Sequence, residues 1–70
     1  MNDKLSIEIE QEVDGRWIAE VPALPGTMVY GASREEAINK VQALALRVLA
    51  ERLEHGEEVP EVARHFVVAA

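Results

Sequence analysis

The stretch from Ser33 to Gly56 constrains this chain most. Ser33-Arg34-Glu35-Glu36 has the spacing of a capping box, in which the Ser33 hydroxyl accepts from the Glu36 N–H and the Glu36 carboxylate reaches back to the Ser33 N–H. Two acids in the first turn also suit the positive end of the helix dipole. Gly56 supplies the stop, because glycine adopts the left-handed conformation that ends helices. A helix is therefore predicted from about Arg34 to His55. Ala37, Val41, Leu44, Ala45 and Val48 recur by threes and fours and form its core stripe. Leu46, Leu49, Ala50 and Leu53 lie partly off that stripe, so the apolar surface is wider than contact with one sheet requires. The excess is either a subunit contact through Leu46, Leu49 and Leu53 or the mark of a helix buried deeper in its own chain.

Before the helix the pattern has a period of two. Leu5, Ile7 and Ile9 alternate with Ser6, Glu8, Glu10 and Glu12, as in a strand with one face buried. Asp14-Gly15 is a hairpin turn signal. Arg16 to Val21 reads as the return strand, with Trp17, Ala19 and Val21 on one face and Ile18 and Glu20 on the other. Pro22-Ala23-Leu24-Pro25-Gly26 ends it, since two prolines remove two ladder donors. Thr27 to Tyr30 is a short third strand broken by Gly31. After the helix, Glu57 to Glu61 is a polar connection in which Pro60 bars helix continuation. Val62 to Ala69, with Phe66, Val67 and Val68, reads as a last strand, paired within its own chain or exchanged with a neighbour. The expected fold class is α+β with the order β-β-β-α-β: two layers, one mostly antiparallel sheet covered on one face by one long helix.

Seventy residues make a single domain, expected to span residues 1–70. Hydrophobic residues are 49% and charged residues 29%, a balance that folds. The longest apolar run, Phe66 to Ala70, is far short of the ~20 residues of a spanning helix, so no membrane contact is expected. The start, Met1-Asn2-Asp3-Lys4-Leu5, lacks the basic and apolar regions of a signal peptide, and a cytoplasmic protein is expected. Absence of cysteine excludes disulfides and thiolate metal sites. A domain this small buries only ~60% of its unfolded surface, so a homodimer or higher homo-oligomer is expected.

The charge is −6, with 13 acidic residues against 7 lysines and arginines. Nucleic-acid binding needs clustered cations that release phosphate counterions, so direct binding is not expected. A basic protein partner is electrostatically easier. Glu8, Glu10 and Glu12 share one face of the first strand, and hairpin register would bring Glu20 beside them on an open, negative sheet face. Such a face serves either to keep the sheet edge from aggregating or to meet a partner. Pro22, Leu24, Pro25 and Gly26 form either structural punctuation or a rigid docking ridge, with Leu24 as a pre-ordered apolar contact. Trp17, alternating with Ala19 and Val21, is read as core.

No motif marks an enzyme. His55 at the helix end is favourably placed for the dipole, and His65 reads as a strand-surface residue. Ser33 is a cap, Ser6 has no nucleophile setting, and Gly26 and Gly31 do not form a phosphate loop. No catalytic residue, cofactor or metal is expected.

The segment Asp14-Gly15-Arg16-Trp17-Ile18-Ala19-Glu20-Val21-Pro22-Ala23-Leu24-Pro25-Gly26, followed by Gly31-Ala32-Ser33-Arg34-Glu35-Glu36-Ala37, resembles the HicB-like antitoxin family. There an aromatic strand runs into a P-x-L-P-G loop and then a G-x-[ST]-x-E-E-A helix start. Leu53 to Pro60 also resembles that family's acidic helix end and G-x-x-x-P exit. The resemblance covers about residues 4 to 61. It implies a partial ribonuclease-H-like fold and a non-enzymatic role: binding and neutralising a small basic RNA-cleaving toxin of the HicA type, with the acidic surface competing with RNA. Members often carry cysteine after P-x-L-P-G, where this chain has Thr27, so no thiol role carries over. Typical members also have a C-terminal DNA-binding segment, and none is expected here. Two other classes are weighed beside the antitoxin reading: an orphan oligomeric scaffold or small-ligand-binding module, and a metal-dependent nuclease using strand carboxylates.

Overall fold

A computed structural model describes residues 5–69. The segment 1–4, read above for signal-peptide character, and residue 70 of the terminal apolar run lie outside the described residues. Three strands, β1 (Glu8–Gln11), β2 (Trp17–Glu20) and β3 (Met28–Gly31), precede the long helix α1 (Arg34–Glu54) and a single-turn helix α2 (Pro60–Ala63). The sheet is antiparallel in the order β1-β2-β3. Its rows run Ile9–Ala19–Val29 on the face toward α1, and Glu8–Glu20–Met28 and Glu10–Ile18–Tyr30 on the other.

The hairpin between β1 and β2 closes with a three-residue loop. The Glu12 N–H donates to the Arg16 carbonyl at 2.7 Å and the Gly15 N–H to the Glu12 carbonyl at 3.0 Å. Gly15 takes φ +93°, the left-handed position this loop length demands. The Pro22–Gly26 block is two consecutive turns rather than a simple stop. Leu24 N–H donates to the Val21 carbonyl at 2.9 Å, and Thr27 N–H donates to the Leu24 carbonyl at 3.0 Å. Each turn has proline at its second position. In the second, Gly26 follows Pro25 with φ +86°, the type II arrangement. The pair of turns rolls Leu24 inward until it is 2% exposed.

Helix α1 begins and ends as its caps dictate. The Glu36 N–H donates to the Ser33 hydroxyl at 3.1 Å. The other arm of the expected box turns elsewhere: the Glu36 carboxylate takes Lys40, one turn on, at 2.8 Å. At the far end Gly56 N–H donates to the Leu53 carbonyl and Glu57 N–H to the Arg52 carbonyl, both at 3.0 Å, a Schellman closure with Gly56 at φ +79°. Ala37, Val41, Ala45 and Leu49 are buried against Ala19, Val21, Leu24 and Val59, with Leu5, Ile7, Ile9, Trp17, Val29 and Val62 packed around them. Leu5 and Ile7 thus join the core although the paired strand starts only at Glu8.

The layout β-β-β-α is as expected, but the last strand is not. Residues 60–63 form α2, because Pro60 at the first helical turn presets φ and needs no N–H partner there. Val62 packs on the core from this turn, and residues 66–69 run on without strand pairing. A strand needs an edge to bond to, and no edge of this sheet is taken up by that segment. His65 consequently sits in the turn after α2, not on a strand.

Candidate protein-binding site

The sheet face turned away from α1 carries the expected acids. Register sets Glu8 directly opposite Glu20 and Glu10 opposite Ile18. Glu8, Glu10, Glu12, Ile18 and Glu20 together line an open depression of about 430 Å³. Period-two alternation produces this: positions 8, 10 and 12 and positions 18 and 20 must share one face once the three-residue loop sets the register. Glu12 lies just past β1 at the loop and is half-buried.

The same face holds residues that the sequence reading did not place there. Met28 stands beside Glu20 and Tyr30 beside Ile18, and both are exposed. They become legible only when β3 is registered on β2. Arg16 lies at the loop end of the face, its guanidinium 4.5 Å from the centre of the Tyr30 ring and its Nε 2.8 Å from an Asp14 oxygen. The Arg16 backbone N–H, 3.0 Å from Asp14 Oδ1, is the main reason the Asp14 carboxyl titrates below its ordinary 3.8, with the guanidinium adding to it. The arrangement is an acidic rim around an aliphatic centre, flanked by a thioether and a cation-capped phenol. Chemically it suits a protein surface that offers cations around an apolar spot.

The second proposed contact region divides. Pro22, Pro25 and Gly26 are exposed at the sheet end, but Leu24 is buried and cannot meet a partner. The two proline turns aim its side chain into the core, so the docking ridge lacks its apolar contact. Of the helix residues, Leu46 is 66% and Leu53 46% exposed, whereas Leu49 is only 4% exposed and belongs to the core. Leu49 follows Ala45 by four residues, on the same stripe, and this rotation turns it into the core rather than toward a second subunit.

UPF0150 protein Ta0767 of Thermoplasma acidophilum is 34% identical to this chain over 58 residues, which span 81% of the chain and 83% of that protein. The chain belongs to the UPF0150 family. No family model and no solved structure matches it.

In this UPF0150 chain, His55 caps α1, its Nδ1 2.7 Å from the Glu51 carbonyl. Among the described residues, no three of His, Asp and Glu are grouped to hold a metal ion. No helix among them is long and apolar enough to cross a membrane. Thr27, at the position after the P-x-L-P-G block, is 1% exposed and its Oγ1 is without a hydrogen-bond partner.

Proposed function

We propose that this UPF0150 chain is a HicB-like antitoxin module, acting in the cytoplasm without catalysis of its own. It binds a small basic RNA-cleaving toxin of the HicA type by protein–protein contact and neutralises it. The observation that carries this reading is the open sheet face, where Glu8, Glu10, Glu12 and Glu20 surround Ile18. The aromatic strand, the P-x-L-P-G turns and the G-x-S-x-E-E-A helix start support it as features of sequence resemblance. A charge of −6 favours a basic protein over nucleic acid.

On this reading the carboxylates occupy the basic surface with which the toxin would hold RNA phosphates. They speed encounter and suppress RNA competition, while Ile18, Met28 and Tyr30 supply the desolvated contact that holds the complex. The test is co-expression with the product of the neighbouring gene, followed by sizing with light scattering and an RNA-cleavage assay. A stable complex in which RNA cleavage stops supports the antitoxin reading. A chain that elutes alone and leaves cleavage untouched overturns it.

A further inference from the structure

Helix α1 carries a second seam, separate from its core stripe. Ala43, Leu46, Ala50 and Leu53 recur by three, four and three residues, the spacing of a helix that packs along another helix. All four are exposed, and none is charged in a chain where 29% of residues are. The core stripe of Ala37, Val41, Ala45 and Leu49 recurs by fours on a different side. Leu46 and Leu53 also border an apolar hollow of about 340 Å³ with Phe66, which is 73% exposed. Val67 and Val68 follow, almost wholly exposed.

The surface at stake is large for a chain of this size. Leu46, Leu53 and Phe66 border this one hollow, and Val67 and Val68 continue from Phe66 along the chain; their exposed area together is on the order of 700 Å² per copy, close to the ~800 Å² each partner buries in a stable complex.

We propose that this face binds the same face of a second copy, with the two α1 helices antiparallel. The order of side-chain sizes selects that direction. Antiparallel packing about the point midway between Leu46 and Ala50 sets Leu46 on the partner's Ala50 and Ala43 on the partner's Leu53. Every leucine then meets an alanine, and large and small side chains interdigitate without voids. Parallel packing would instead set leucine on leucine and alanine on alanine. Phe66 borders the same hollow as Leu46, Ala50 and Leu53, so it lies beside the paired seam and loses exposure there. The pairing is independent of the toxin reading, because the acidic sheet face stays free on the other side of the molecule.

Light scattering and sedimentation on the full chain measure the pairing. A dimer is expected, and Leu46→Glu should weaken it by roughly tenfold or more while the far-ultraviolet dichroism stays unchanged. Absence of native cysteine allows a direct test of direction. Leu46→Cys and Ala50→Cys chains are mixed and oxidised with diamide. Cross-links between the two variants should exceed those of either variant alone. A monomer at 100-micromolar concentration, a dimer that tolerates Leu46→Glu, or preferred cross-links between identical positions would each overturn the proposal.

Discussion

A Cβ built on Gly31 would lie 2.5 Å from the backbone nitrogen of Ala37 and 2.8 Å from its Cα. Gly31 ends β3 and Ala37 closes the first turn of α1, so this contact fixes how closely the helix sits on the sheet. Backbone occupies the space, and no flexible side chain can yield. Gly31→Ala is expected to cost about 1–3 kcal/mol, as overpacking does. Gly15 supplies the control: it has open space around it and only its positive φ to lose, so Gly15→Ala should act through loop strain of ~1–2 kcal/mol and leave the helix contact intact. Urea denaturation of both variants measures the costs, and near-ultraviolet dichroism of Trp17 should change in Gly31→Ala alone.

Leu24→Ala should destabilise the free chain by about 2–5 kcal/mol, the range for emptying a buried leucine site. The exposed neighbour Ala23 offers a contrast, since Ala23→Ser is expected to change stability little. Equilibrium denaturation separates the two. A cost at Leu24 below about 0.5 kcal/mol would contradict its role as core.

Thr27 presents the reverse case. Its Oγ1 is buried without a partner, and valine has nearly the same shape without the hydroxyl. Thr27→Val is expected to raise stability by about 1 kcal/mol, because the desolvation cost of an unsatisfied hydroxyl is removed. Thermal denaturation should register this as a higher midpoint with unchanged cooperativity.

Charge on the open face should trade stability against binding. Glu8 and Glu20 face each other across β1 and β2, and like charges so placed repel. Glu20→Gln should therefore raise the melting temperature slightly at low salt, with the gain vanishing at high salt. Reversal of Glu8, Glu10, Glu12 and Glu20 to lysine should weaken binding of a basic toxin and flatten its salt dependence. Titration calorimetry at two salt concentrations checks it, and unchanged affinity would remove the electrostatic part of the proposal.

Acid should erode two local devices. Asp14 is held below its ordinary 3.8 chiefly by the Arg16 N–H, and Glu36 below its ordinary 4.5 chiefly by its bond to Lys40. Both folded values are depressed, so their contribution is present above the unfolded values and is lost as pH falls through the folded ones. Both groups are exposed, so the effect is small. Melting temperatures between pH 2 and pH 6 should fall less steeply for Asp14→Asn with Glu36→Gln than for the unaltered chain.

What could be read from the chain alone were the features decided by neighbours in sequence. The Ser33 cap and the Gly56 stop bound α1 because the groups they satisfy lie within one turn. Asp14-Gly15 closes the hairpin because a short loop needs the left-handed conformation. Alternation then placed Glu8, Glu10 and Glu20 on one face, and the register confirmed that they share it. Tertiary structure decided what depends on distant partners. Leu24 between two prolines has the same sequence whether it points outward or inward, and the consecutive turns send it inward. Leu49 belongs to the core because of the rotation at which α1 meets the sheet. Gly31, read only as a strand breaker, is the point of closest helix approach, which no local pattern encodes. Phe66 to Val68 have strand character, yet a strand exists only where an edge accepts its hydrogen bonds, and no edge does so among the described residues.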